Sequence, residues 1–174
     1  MKNAVNTIWV AFLFIMCFQA KAQYISLDQK NGFRDLKFGV AIETVSGLAP
    51  YAPAFADKAI PEMKEFTRPS DKLEIGPYQV FNITYSFYKN RLFKVTIAVN
   101  KGYQSQGVKD VLIREYGQGQ IVNGIGMAWL GQVATMGFSD WQSEWAFVTI
   151  ANKAIDDEYD YAKRASFKPV PSGL

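Results

Sequence analysis

The sequence contains no histidine and a single cysteine, Cys17. Without an imidazole, neither a Ser-His-Asp nor a Cys-His arrangement has its base, and a zinc site built on histidine is equally excluded. One cysteine cannot form a disulfide framework, whereas a small secreted eukaryotic domain is normally stapled by several bridges. The shortage of cysteine therefore favours a bacterial origin if the chain is exported. Lysine and arginine form no run or stripe, so the net charge of +3 and the pI near 8.9 do not argue for nucleic-acid binding. No apolar run approaches the roughly 20 residues that a membrane-crossing helix needs.

The longest apolar run, Ile8 to Phe18, follows Lys2 and precedes Ala20-Lys21-Ala22. A positive start, an apolar stretch and a small-x-small site are the three parts of a signal peptide, which predicts cleavage between Ala22 and Gln23. Cys17 lies inside the run behind Met16, where a lipoprotein signal has a small residue, so Cys17 is expected to leave with residues 1–22. Residues 23–174 are expected to form a single α+β domain, periplasmic or extracellular, with no transmembrane segment. A chain of this length buries about two-thirds of its unfolded surface and needs no staples.

Val40, Val45 and Leu48 recur at roughly helical spacing, which predicts a short helix stopped by Gly47 and Pro50. Pro50, Pro53, Pro61 and Pro69 make the next stretch loop-rich, with room for one helical turn over Pro61 to Phe66. Leu73 to Ile75 reads as a short edge strand. In Val80 to Tyr88 the residues Phe81, Ile83, Tyr85 and Phe87 alternate with Asn82, Thr84 and Ser86, a strand with one buried face. Lys89-Asn90 turns the chain, and Leu92 to Val99 alternates again to complete a hairpin. Val108, Val111, Leu112 and Tyr116 predict a second helix over Gly107 to Tyr116. A glycine-rich connection, Gly117 to Gly126, leads into a second hairpin. Acidic residues first and basic residues last over Ile155 to Ala165 suit a helix dipole and predict a C-terminal helix.

Slid against itself, the sequence lays Gln79 to Ala98 ungapped over Gln132 to Ala151, and both segments end in Val-Thr-Ile-Ala. This predicts two tandem helix-plus-hairpin repeats, about 31–100 and 101–165, whose helices pack on one face of an antiparallel sheet. Two unrelated hairpins of ordinary β composition are the alternative. The register assigns faces. Phe81, Ile83, Tyr85, Phe93, Val95 and Ile97 point inward in the first unit, and Met136, Phe138, Val148 and Ile150 do so in the second. Outward, the first unit presents Thr84, Ser86, Tyr88, Leu92 and Lys94. The second presents Trp141, Trp145 and Phe147 in the places of Tyr88, Leu92 and Lys94.

The segments "GFRDLKFG" from Gly32, "ITYSFYKNRLFKVTIAV" from Ile83 and "LIREYG" from Leu112, with the tryptophan strand around Trp129, resemble a group of small exported bacterial proteins of unknown function. The resemblance covers most of the chain beyond residue 22 and brings no catalytic residue with it. A looser likeness is to envelope modules of the outer-membrane assembly lipoprotein type and the β-lactamase-inhibitor-protein type. That likeness implies binding of other proteins through an open sheet face.

Gly117, Gly119, Gly124 and Gly126 follow a helix and enter a strand, the reverse of a phosphate-binding loop, so they read as a connection. Asp156, Asp157, Glu158 and Asp160 lack the glycine and alternation of a calcium loop and read as a solvated helix start. Neither a cofactor nor a metal is expected. Exposed aromatic patches commonly mark binding sites, and the candidate binding residues are Trp141, Trp145, Phe147 and Tyr88. The competing possibility is that the C-terminal helix or the proline-rich segment covers them as a second small core. The expected function is a non-catalytic binding or assembly module of the bacterial envelope, its partner an envelope protein or a glycan. The alternative is a carboxylate-dependent hydrolase acting on glycans, which needs only two acids at the right separation.

Overall fold

Two long hairpins form the centre of the molecule. In the computed structural model, which describes residues 26–51, 60–123, 126–140 and 144–166, the first hairpin pairs β7 (Asn82–Tyr88) with β8 (Arg91–Asn100). The second pairs β11 (Ala134–Ser139) with β12 (Trp145–Asn152). Lys89 and Asn90 both take positive φ, 49° and 63°, as the tight two-residue turn matching strand twist requires. β8 and β12 lie side by side, so that Ile97 faces Val148 and Val95 faces Ile150. Among the described residues the sheet is antiparallel and eight-stranded, in the order β3-β4-β7-β8-β12-β11-β10-β9. Its outer strands are β3 (Ala49–Pro50), β4 (Met63–Thr67), β9 (Gln120–Val122) and β10 (Gly126–Leu130). Two small hairpins stand apart from it, β1 (Gly32–Phe33) with β2 (Leu36–Lys37) and β5 (Glu74–Ile75) with β6 (Tyr78–Gln79). The helices are α1 (Leu27–Lys30), α2 (Tyr103–Tyr116) and α3 (Lys153–Ser166). The architecture is α+β, and no described helix is long and apolar enough to cross a membrane.

The sheet carries a core on each side. On one, Ile83, Tyr85, Val95, Ile97, Met136 and Val148 pack in one cluster with Val108 and Leu112 of α2. On the other, Tyr88 and Phe93 pack with Ile155 and Tyr159 of α3 and with Ile60. The expectation that the helices share one face is therefore corrected: α2 and α3 lie on opposite faces. Strand parity requires this, since Phe87 belongs to the first cluster and its neighbour Tyr88 to the second.

A β-bulge explains the largest departure from the expected faces. Ser86 faces Lys94 but Phe87 faces Leu92, which leaves Phe93 without a partner on β7. An extra residue in one strand displaces the alternation by one. Leu92, expected outward, is buried in the α2-side core, and Phe93, expected with Val95 and Ile97, is buried on the α3 side. Phe81 is also corrected: it precedes the first paired residue of β7 and is 60 % exposed.

Other differences lie before the first hairpin and at the helix starts, α2 beginning four residues ahead of the expected Gly107. Where a helix was expected over Val40 to Leu48 there is one 3-10 turn, Ile42–Thr44, because Gly39 and Gly47, both at positive φ, bracket too few residues for a stable α-helix. Pro61 to Phe66 is not a helical turn but leads into β4, whose backbone pairs with β7. The C-terminal helix begins two residues earlier than the charge pattern implied, with the Ile155 N–H donating to Asn152 Oδ1 at 3.1 Å, a side-chain cap.

Asp28 fastens the N-terminal segment to the sheet. Its carboxylate accepts the backbone N–H groups of Gln132, Val133 and Ala134 at 2.7, 2.8 and 3.0 Å. These bonds, that to Ala134 foremost, hold its pKa below the ordinary 3.8. A depressed carboxylate pKa stabilises the fold above the unfolded value, and the contribution disappears as pH falls through the lowered folded value. Asp28→Asn should accordingly lower the melting temperature at pH 7 and narrow the stability difference from wild type as the pH is taken below 3.8. Melts of the pair across pH 2 to 7 check this. A gap of constant size would show that the charge of Asp28 is not what matters.

Candidate functional site

Sheet geometry separates the four aromatic candidates. Trp145 begins β12 and faces Asn100, the last residue of β8, whereas Tyr88 ends β7 and faces Arg91, the first. The nine steps along β8 between those partners span roughly 30 Å at the rise of an extended strand. Tyr88 is therefore corrected as a patch residue: it is 2 % exposed, with its ring 5.6 Å from that of Tyr159 in an edge contact. The C-terminal helix covers this half of the face, as the second-core alternative required. Trp141 lies outside the described residues.

At the other end the rings are more open. Phe147 is 38 % exposed, and the half-buried Trp145 lies against Phe81, with ring centroids 4.5 Å apart and planes at 46°. Phe81 was expected in the core and joins the patch instead, because it stands just ahead of the first paired residue of β7, where the sheet ends. Its ring turns over the end of the sheet towards Trp145. The signal in the sequence that could have placed it is its position at the margin of the strand, just ahead of Asn82, where alternation no longer constrains the side chain. Asn82 and Thr84 of the same face add polar groups, with Asn82 Nδ2 donating to Thr84 Oγ1 at 3.2 Å.

Around the corner, on the α2 side, the same end of the sheet opens a cleft of roughly 480 Å³ lined by Tyr78, Lys101, Tyr103, Gln106, Asp110 and Asp140. Lys101 is tied to the start of β12 by its backbone N–H, which donates to the Glu144 carbonyl at 3.2 Å. The cleft and the Phe81-Trp145 pair thus share a framework. Tyr78 and Tyr103 meet edge-on at 5.6 Å with planes at 65°, and Gln106 Nε2 donates to Asp110 Oδ1 at 3.0 Å. Sequence reasoning missed this cleft, since its residues come from β6, α2 and the end of β11.

Two other polar groupings are consumed by structure. Tyr85, fully buried, donates its hydroxyl to Asp71 Oδ2, and Asp71 also pairs with Arg34 at 3.3 Å and Arg68 at 3.5 Å. Arg68 in turn binds both oxygens of Asp35 at 3.0 Å. Burial, and then the bond to Asp71, push the Tyr85 hydroxyl far above its ordinary pKa, so it stays a donor. Every charge here has a protein partner, which makes the group a staple between the β1-β2 hairpin, the segment after β4 and the sheet. Likewise, Glu158 binds Lys89 at 2.8 Å and Arg91 at 2.5 Å, and Asp156 binds Lys94 at 2.6 Å. The acidic start of α3 thus docks the helix on the first hairpin. Among the described residues no group of three or more carboxylates or thiols is placed to hold a metal ion.

Comparison of the chain with protein-family models, with curated proteins and with solved structures finds no match.

Proposed function

We propose that this chain is an exported, non-catalytic binding or assembly module of the bacterial envelope, which engages its partner through the sheet end formed by Phe81, Trp145 and Phe147. One observation carries the reading. At this end of the sheet aromatic rings gather in the open, with Phe81 60 % and Phe147 38 % exposed beside the half-buried Trp145, whereas the other exposed large apolar residues of the described strands, Ile121 and Leu130, are aliphatic. Stability does not require aromatic rings in such a place, and rigid aromatic anchors are the residues most enriched at binding hot spots. The layout of residues 1–22 supports export. A duplicated origin is supported by Ile83 with Met136, Tyr85 with Phe138 and Val95 with Val148, which match in the self-alignment and share the α2-side core.

Trp145→Ala tests the function. The variant and the wild type are taken from the exported fraction, where intact mass should show an N-terminus at Gln23, and are compared by thermal melts and by retention of native envelope components. The half-buried ring should cost under about 2 kcal/mol of stability, while retention of the wild type's partner is lost. A loss of about 3 to 5 kcal/mol, the range for a fully buried tryptophan, would make the ring ordinary core and end the proposal.

A second reading, a carboxylate-dependent hydrolase acting on glycans, is favoured by one feature: Asp110 and Asp140 line the same cleft beside two tyrosines. It requires that the protein release reducing ends from a glycan and that Asp110→Asn or Asp140→Asn abolish the release.

A further inference from the structure

We propose that the cleft at the start of α2 binds a neutral glycan, with Tyr103 as the stacking platform and Gln106, Asp110 and Asp140 as partners of the sugar hydroxyls. The inference rests on reading this end of the sheet as a binding surface and names the class of ligand taken there. A volume of roughly 480 Å³ falls within the range of about 300 to 1,000 Å³ typical of small-ligand sites. Tyr103 is 78 % exposed at the first position of its helix, yet its edge contact with Tyr78 fixes its orientation. An open ring face with its negative quadrupole attracts the polarised C–H groups of a pyranose. Carboxylates accept two hydroxyl hydrogen bonds apiece and make them strong ones, and the Gln106 amide both donates and accepts.

Charge selects among glycans. Two carboxylates and one ammonium, Lys101, line the cleft, so a uronate, sulfate or phosphate meets net repulsion and a neutral sugar does not. The wall is also built in advance. Tyr78 lies directly on the backbone of α2 at Gly107, where a Cβ would stand 2.1 Å from the Tyr78 ring. Glycine inside a helix costs about 1 kcal/mol relative to alanine, and here its absent side chain seats the ring that steadies Tyr103.

Titration calorimetry with neutral tetrasaccharides of glucose, mannose and N-acetylglucosamine, and with a uronic-acid tetrasaccharide of equal length, tests the proposal. At least one neutral probe should bind, and more tightly than the uronate. Tyr103→Ala should melt like the wild type and weaken that binding about tenfold or more. Gly107→Ala should weaken it as well by displacing Tyr78, while Trp145→Ala, outside the cleft, should leave it within about twofold, a difference worth under 0.5 kcal/mol. Failure of all three neutral probes to bind, preference for the uronate, or an unchanged affinity in Tyr103→Ala overturns the proposal. The two proposals fail separately: loss of envelope retention in Trp145→Ala without saccharide binding rejects the glycan and keeps the module. Saccharide binding with retention indifferent to Trp145 rejects the patch instead.

Discussion

Phe93→Ala is expected to destabilise the protein by about 3 to 5 kcal/mol, the cost of removing a fully buried phenylalanine. Phe93 is wholly enclosed. Its ring lies 5.3 Å from Tyr159 and 6.4 Å from Tyr88, and the Lys94 ammonium stands 5.1 Å from its centroid. The α3-side core has few members, so truncation removes its centre and leaves the helix held by Ile155, Tyr159 and the ion pairs of Asp156 and Glu158. Those pairs are partly exposed, and pairs of that kind contribute little each. Denaturant titration should therefore show the helical signal of α3 falling before the sheet unfolds. A loss under about 1 kcal/mol would mean that Phe93 is not the centre of this core and that the bulge has been misplaced.

Ile97→Ala is expected to cost about 2 to 5 kcal/mol for a different reason and with a different signature. Ile97 is 1 % exposed and stands between Ile83 on β7 and Val148 on β12, in the core that also holds Val108 and Leu112 of α2. This core joins both hairpins, so the cavity weakens the whole molecule and unfolding should remain a single transition with an unchanged denaturant slope. Ile97 and Phe93 are four residues apart on one strand, roughly 13 Å, and lie on opposite faces. In the double variant the two losses should add within about 0.5 kcal/mol. Strong coupling between them would contradict the separation of the two cores.

Much of this molecule follows from local pattern. Period-two alternation over Asn82 to Tyr88 and the β-branched run ending in Val-Thr-Ile-Ala specify strands whatever they pack against, because half-burial of a pleated surface is a local requirement. The turn at Lys89-Asn90, the helix ending at Tyr116 and the charge order of α3 are legible for the same reason: each is decided within a few residues. Ile83, Tyr85, Val95, Ile97, Val148 and Ile150 were assignable to one core from sequence because the alternation through them is unbroken, and all lie in the α2-side cluster.

Only the tertiary structure decided the rest. One unpaired residue at Phe93 reverses the faces of the hairpin's turn end, and nothing in the local sequence marks it, since Leu92 and Phe93 are equally apolar. Which face each helix covers depends on where the chain crosses the sheet, so Tyr88, matched with Trp141 in the self-alignment, was placed under α3 by packing. The aromatic end was half legible: Trp145 and Phe147 stood out as bulky residues on a nominally polar face, but Phe81 joined them only because the sheet stops there. The cleft was not legible at all. Tyr78, Gly107, Asp110 and Asp140 carry no common spacing, and they meet because β6, α2 and the end of β11 converge in space. Local chemistry dictates elements, while juxtaposition of elements distant in sequence is an outcome of the whole chain's burial.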